Sequence, residues 1–328
     1  MDGQNAQPLA NGHGPDAPQD GVALDLVEVL AGLMAPQKHL SPKYFYDQRG
    51  SELFDQICGL DEYYPTRTEL AVMREHVDEL AELVGPRAAV IEFGAGSNTK
   101  VRLLLDHLIE PAAYVPVDIS ADYLVQQAEE LASDYPNVHV QPVFADFTQP
   151  FALPEHPVMP DRNLIFFPGS TIGNFTRAKA CELLEVMAAE AKPGGALLIG
   201  VDLRKDPDVL HAAYNDSLGI TAEFNLNVLT RLNRELGANF DVDLFQHRAV
   251  YDEAKGRIEM RLMSTQRQAV AIAGAEIPFD ENEYIITEYS HKYSIDEFHA
   301  LARRAGFEPA RSWIDDDDLF SVHYMSAH

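Results

Sequence analysis

Val90-Ile91-Glu92-Phe93-Gly94-Ala95-Gly96-Ser97-Asn98-Thr99-Lys100 decides how this chain folds. The stretch opens as an apolar strand and turns on two glycines. It then enters the amphipathic run Val101-Arg102-Leu103-Leu104-Leu105-Asp106-His107-Leu108. Strand, glycine turn and helix make the first unit of a nucleotide-cofactor sheet, where the backbone must approach a ligand without a Cβ in the way. A dinucleotide fingerprint requires a third glycine at position 99, and Thr99 stands there. A pyrophosphate on the helix N-terminus is therefore disfavoured. A cofactor with adenosine but no phosphate fits better, and S-adenosylmethionine is the common one.

Outward from that turn the alternation continues. Strands are expected over 88–93, 114–117, 138–144, 164–167 and 196–201, with helices over 100–108, 121–131 and 177–191 between them. This pattern predicts a parallel, doubly wound α/β sheet. Upstream, helices are expected over 22–33, 50–57 and 69–83, with Pro65 ending the segment before it and Thr66 capping the third helix. After Asp202 the rhythm changes to helices over 206–236 and strands over 245–251, 257–264, 269–273 and 284–290. We read these as an α+β insertion built on one antiparallel meander. A helix over 295–305 and strands over 309–313 and 319–325 resume the first pattern. The run Asp315-Asp316-Asp317-Asp318 falls in the turn between those last two strands, without the ligand spacing of a calcium loop.

Composition narrows the function. Of 328 residues, 52 are acidic and 25 basic, a net charge of -27 that repels phosphate backbones and anionic membranes. Neither nucleic acid nor a membrane is expected as a partner, and no obligate protein partner is evident. Cys58 and Cys181 lie far apart and read as reduced core thiols of a cytoplasmic protein. None of the 12 histidines stands in a metal-binding pattern, so no metal is expected. No stretch approaches the roughly 20 apolar residues of a membrane-crossing helix. Residues 1–20, rich in Gly, Pro, Asn, Gln and Asp, read as a disordered tail rather than a signal peptide.

Ligands of open α/β sheets sit at the carboxyl ends of the strands. Asp118 ends the second strand, where a carboxylate accepts both ribose hydroxyls of an adenosine. Asp146-Phe147 ends the third, the acid suited to the adenine amine and the aromatic to its ring. Each acid alone is equally well a strand-end turn residue; three such features on consecutive strands argue for a site. The loop Pro168-Gly169-Ser170-Thr171-Ile172-Gly173-Asn174-Phe175 follows the fourth strand, and Asn174 both donates and accepts hydrogen bonds.

Several segments together resemble one family. They are Tyr44-Phe45-Tyr46-Asp47, Gly50-Ser51, Leu53-Phe54-Asp55, Glu62-Tyr63-Tyr64-Pro65-Thr66-Arg67 and Gly169-Ser170-Thr171-Ile172-Gly173-Asn174. Asp202-Leu203, Ala213-Tyr214-Asn215-Asp216, Asn233-Arg234-Glu235-Leu236, Ile258-Glu259-Met260 and Thr287-Glu288 extend the match over nearly all the chain after the tail. The chain resembles the histidine-specific Nα-methyltransferases of ergothioneine biosynthesis. The resemblance implies a class I methyltransferase with a Rossmann-like doubly wound sheet and an inserted α+β substrate-binding domain. Residues 21–67 and 205–292 would form the substrate-binding domain, and 68–204 and 293–328 the methyltransferase domain. It further implies S-adenosylmethionine held by Gly94, Lys100, Asp118, Asp146 and Phe147. Tyr46, Tyr63, Gly169, Asn174 and Tyr214 would surround the amino and carboxylate groups of histidine and of its mono- and dimethyl forms. Met260, Glu288 and Ser290 would frame the imidazole. Ala95 and Asn98 depart from the family's usual glycine turn, and Tyr289 is outside its motif.

The chemistry agrees. Glu288 and Ser290 stand two residues apart on a strand and so share a face, offering a carboxylate and a hydroxyl to the two ring nitrogens. Methyl transfer to an amine needs a collinear approach, a neutral nitrogen and a dry site, but no nucleophilic side chain. Tyr46 and Tyr63 are assigned positioning roles in the catalytic step, because a phenol of pKa about 10 is a poor base at pH 7. The alternatives are a methyltransferase of another amino acid or amine, an NAD-dependent oxidoreductase, and a binding protein that has lost turnover.

Overall fold

The computed structural model of the protein describes residues 24–119, 121–149, 151–154 and 159–328; the tail read over 1–20 lies outside them. Three helices come first: α1 (Leu26–Leu33), α2 (Gln48–Cys58) and α3 (Tyr64–Val84). Asp25 caps α1 by accepting from the Val27 and Glu28 amides at 2.8 and 3.2 Å, which sets its start later than hydrophobicity suggested. Pro65 does not end a segment but sits in the first turn of α3. The first amides of a helix have no partner within it, so a proline there loses nothing. Thr66, expected as a cap, lies inside that turn with its hydroxyl 3.4 Å from Cys58 Sγ.

The sheet then unfolds in order: β1 (Ala88–Phe93), α4 (Thr99–Leu105), β2 (Ala113–Asp118), α5 (Ala121–Asp134), β3 (His139–Val140), β4 (Val143–Phe144), β5 (Arg162–Phe167), α6 (Arg177–Ala191) and β6 (Ala196–Asp202). The expected strand over 138–144 is two short pieces, both paired with β2. Next come α7 (Pro207–Tyr214), α8 (Ile220–Leu236), β7 (Phe245–Asp252), β8 (Arg257–Ser264), β9 (Gln268–Ile272), β10 (Ala275–Phe279) and β11 (Tyr284–His291). The chain ends with α9 (Ile295–Arg304), β12 (Phe307–Ile314) and β13 (Phe320–Ala327).

The large sheet runs β12-β13-β6-β5-β1-β2-β3, with β4 also on β2. Strands β1 to β6 pair in parallel, and β13 lies antiparallel between β6 and β12. This is the doubly wound α/β arrangement expected from the sequence. Every residue of β1 and β6 is buried, as expected where helices cover both faces. The strand order reverses between β1 and β5, which opens a crevice at their carboxyl ends.

The inserted strands are not one meander. β7, β8 and β11 form an antiparallel sheet in the order β11-β8-β7, while β9 and β10 pair only with each other. β10 escaped the sequence reading because Pro278 interrupts it, and proline is tolerated there on an edge. Buried side chains of α1, α2, α7, α8 and β7 to β11 share one apolar cluster, separate from the two clusters on the faces of the large sheet.

Gly50 shows how tightly α2 is seated. Its amide donates to Asp47 Oδ1 at 2.8 Å, and a Cβ on it would overlap the Phe45 carbonyl oxygen. Asp47 is 3% exposed and also accepts from Asn227 and Arg234, each at 2.8 Å. Gly50→Ala should therefore destabilise the protein by about 1–3 kcal/mol, whereas Gly59→Ala, with its closest neighbour at 3.4 Å, should change little. Urea midpoints of the two variants check this; equal midpoints would mean that the turn at Gly50 relaxes freely.

Candidate active site

The glycine turn leaves β1 at the crevice. Gly94 has φ +71°, a left-handed conformation, and its amide donates to the Val117 carbonyl at 2.8 Å. A Cβ on it would lie 3.4 Å from the Phe147 ring, and one on Gly96 would meet nothing within 4 Å. Phe147 also packs against Phe93 and Phe167, each with centroids 5.9 Å apart. Asp146 Oδ1 accepts from the Thr148 amide at 3.0 Å and its hydroxyl at 2.6 Å. One oxygen of the acid expected to meet the adenine amine thus closes the turn that holds Phe147 over Gly94. Asp118 ends β2, part-buried, and its charge acts on both Glu92 and Tyr46.

Lys100, in the first turn of α4, pairs with Glu69 Oε2 at 2.5 Å. Glu69 is 1% exposed and both its oxygens accept from the Gly169 amide, at 3.0 and 2.9 Å. It ties the cation to the loop after β5. An open glycine turn, a carboxylate at the end of β2, the Phe147 ring and an ammonium in the first turn of α4 are the groups that could hold S-adenosylmethionine.

The other wall of the crevice comes from the inserted elements. Tyr46 follows the short turn Pro42–Phe45, Tyr63 precedes α3 and Tyr214 ends α7. The Tyr63 and Tyr214 rings stand 6.2 Å apart, and Phe54 lies between Tyr46 and Tyr63 at 5.8 and 6.3 Å. Burial raises all three hydroxyl pKa values, with Glu288 adding to it and, for Tyr214, Lys292 opposing it, so the phenols stay protonated. Burial also pushes Glu288 up to about 7, against the pull of Lys292.

Met260 is paired with Glu288 across β8 and β11, and 2% exposed. A register shift just before Glu288 leaves Glu288 and Ser290 alternating normally, on one face. Gly173 lets the turn Thr171–Asn174 dock on the end of β11, since a Cβ there would come within 2.8 Å of the His291 carbonyl oxygen. Asn174 and Glu288 thereby line one cavity of about 230 Å³, with Tyr44, Ile286 and Tyr289.

A buried polar network backs this wall. Lys292 Nζ, fully buried, lies 2.5 Å from Asp202 Oδ2, 2.8 Å from Ser290 Oγ and 3.0 Å from Tyr214 Oη. Ser290 and Tyr214 hydroxyls are 2.8 Å apart. Asp202 further accepts from Tyr64 at 2.8 Å and pairs with Lys205. Its amide donates to Ser170 Oγ at 2.9 Å, and Ser170 holds φ 53° to reach it. Among the described residues no cluster of His, Cys, Asp and Glu is placed to hold a metal.

The sequence model of one family, described as "Histidine-specific methyltransferase, SAM-dependent", matches residues 25–327. The chain belongs to this family. The histidine N-alpha-methyltransferase of Mycolicibacterium smegmatis is 38% identical over 96% of this chain and 97% of its own. That of Mycobacterium tuberculosis is 41% identical over the same shares. Ergothioneine biosynthesis protein 1 of Neurospora crassa is 30% identical over 93% of this chain, which spans 35% of that longer protein. Membership in a methyltransferase family sets aside the oxidoreductase reading, as Thr99 had argued.

Of the residues brought together here, the sequence reading did not name as site residues Phe54, Tyr44, Ile286 and Tyr289, nor what fastens this methyltransferase together: Glu69, Tyr64, Asp202, Lys205 and Lys292. Glu69 left a signal, an acid among Val72 and Met73 on the buried stripe of α3. Lys292 left none, because its partners are remote in sequence.

Glu288 gives a test of the site's dryness. Its folded pKa of about 7 lies above the ordinary 4.5, so the folded state holds more protons between those values and stability falls as pH rises through the range. His291 and His323, pushed down to about 4 and about 3 by burial, act in the opposite sense. The readout is therefore the difference between wild type and Glu288→Gln. Without ligands, wild type should lose about 1–3 kcal/mol relative to the variant between pH 4.5 and 7. Parallel stability curves from urea titrations would show that Glu288 is well solvated.

Proposed function

We propose that this enzyme transfers methyl groups from S-adenosylmethionine to the α-amine of L-histidine, three in succession, yielding the betaine hercynine in ergothioneine biosynthesis. The observation that carries the reading is Glu288: a part-buried carboxylate that lines one cavity with Asn174 and whose charge acts on Tyr46, Tyr63 and Tyr214. Residues 21–67 and 205–292 act as the substrate-binding part, and 68–204 and 293–328 as the methyltransferase part. No protein partner is required, and the reaction is placed in the cytoplasm. Among the described residues no helix is long and apolar enough to cross a membrane.

S-adenosylmethionine, when bound, supplies a methyl group on a sulfonium leaving group. The chain's own residues hold the amine in line with it. Asn174 offers an amide donor and acceptor to the amino acid's charged ends, and the Gly169 loop forms the border between amine and cofactor. Tyr46 and Tyr63 orient the nitrogen; as phenols with raised pKa they do not remove its proton, which leaves to solvent before attack. Their faces, with that of Tyr214, stabilise the growing ammonium by cation–π attraction. Glu288 accepts from the imidazole N–H, Ser290 stands beside it, and Met260 packs the ring.

Incubation of the pure protein with S-adenosylmethionine and a panel of amino acids, read by mass spectrometry, tests the reading. Histidine should gain 42 mass units, about three methylenes, and tryptophan and phenylalanine should stay unchanged. Methylation of another amino acid in preference would overturn it. Glu288→Ala should lower kcat/KM for histidine about 10- to 100-fold, or 1.4–3 kcal/mol, with cofactor affinity nearly unchanged. Collapse of cofactor binding with histidine selectivity intact would move Glu288 out of the substrate site.

Asp118→Ala provides the complementary measurement. Losing an acceptor for the ribose hydroxyls should weaken S-adenosylmethionine binding by about 1.5–3 kcal/mol. Calorimetry that finds wild-type affinity would place the ribose elsewhere.

A further inference from the structure

Lys292 touches both Tyr214 and Ser290. It is fully buried, and Asp202 outweighs that burial to hold it as an ammonium. An ammonium has three N–H donors and no acceptor. Asp202 Oδ2 at 2.5 Å, Ser290 Oγ at 2.8 Å and Tyr214 Oη at 3.0 Å account for all three. Both hydroxyl oxygens therefore accept from Lys292.

The two hydroxyls also lie 2.8 Å from each other, so one donates to the other. Two protons are available and that contact uses one. Among the described residues neither hydroxyl has a further acceptor. One proton is left to donate outward.

We propose that Lys292 is a positioning residue: by donating to both hydroxyl oxygens it takes up their acceptor capacity, so that, with Tyr214 donating to Ser290, the Ser290 hydroxyl presents its proton to an unprotonated ring nitrogen and the site selects a neutral imidazole. The inference rests on histidine being the substrate. Its geometry follows from β11: Glu288 and Ser290 are on one face, on the order of 7 Å apart along the strand. A ring between them gives its N–H to Glu288 and its lone pair to Ser290. An imidazolium has no lone pair to offer, and the Lys292 charge behind Ser290 repels it. The charged and titratable groups around the pair are Lys292, Asp202, Glu288, Lys205, Tyr64, Tyr63 and His247.

The experiment is a double-mutant cycle on KM for histidine, with cofactor affinity as the control. Lys292→Met leaves Asp202 paired with Lys205 and Tyr64. It should raise KM about tenfold or more and leave S-adenosylhomocysteine affinity within twofold. In a Ser290→Ala background the same change should shift KM less than twofold, because the hydroxyl through which Lys292 acts is gone. An equal effect in both backgrounds, or an unchanged KM, overturns the proposal. If Lys292→Met does not fold, Asp202→Asn/Lys205→Met/Lys292→Met removes all three buried charges and carries the same cycle. With wild type, a pyrrolylalanine keeps the N–H but lacks the acceptor nitrogen and should bind at least tenfold more weakly than histidine; equal binding contradicts an outward proton. Wild type that does not methylate histidine sinks the functional reading, whereas methylation with an additive cycle sinks only this inference.

Discussion

One buried carboxylate holds the two walls of the crevice together. Asp202 ends β6 of the large sheet with 1% exposure, and it gathers Lys292 from the chain after β11, Tyr64 from the start of α3 and Lys205 from its own loop. An ion buried so completely is tolerated only when its partners are close and fully hydrogen-bonded. Two ammonium groups and a phenol meet that condition. The consequence is geometric: Tyr214 and Ser290 are fixed to the sheet through Lys292, and Ser170 is fixed through the Asp202 amide. Substrate wall and cofactor edge thereby share one anchor.

Glu69 makes a second joint of the same kind. It connects Lys100, beside the glycine turn, with the amide of Gly169, at the border with the substrate wall. Both joints satisfy a buried acid with lysine, and the tyrosines Tyr46, Tyr63 and Tyr214 stay neutral phenols. That arrangement suits a reaction in which an α-amine becomes a permanent trimethylammonium beside an unchanged carboxylate. A strongly basic pocket would oppose the product, and a wet one would weaken the electrostatics that orient the amine.

Much of this was legible in the sequence because the relevant signals are local. Alternating strands and helices specified the sheet, and the glycine turn with Asp118 and Phe147 specified its ligand edge. Glu288 and Ser290 share a face in the structure because a strand's two-residue period survives the register shift that precedes them. What the sequence hid is non-local. Pro65 looked like a terminator but opens a helix, because its meaning depends on which amides lack partners. The hairpin of β9 and β10 looked like part of a meander, since alternation does not say which neighbour a strand chooses. Lys292 reads as an ordinary polar residue after a strand; only the approach of β6, α3 and α7 makes it the centre of a network.

The central claim is that the inserted wall places a neutral imidazole between Glu288 and Ser290 while the α-nitrogen faces the glycine-turn edge. A crystal structure with S-adenosylhomocysteine and Nα,Nα-dimethylhistidine bound tests it most directly. The account expects the ring nitrogens within hydrogen-bond distance of Glu288 and Ser290, the ribose hydroxyls on Asp118, and the amine between Tyr46, Tyr63 and the cofactor sulfur. An amino acid seated with its carboxylate against Lys292, or with its ring away from Glu288, would contradict it.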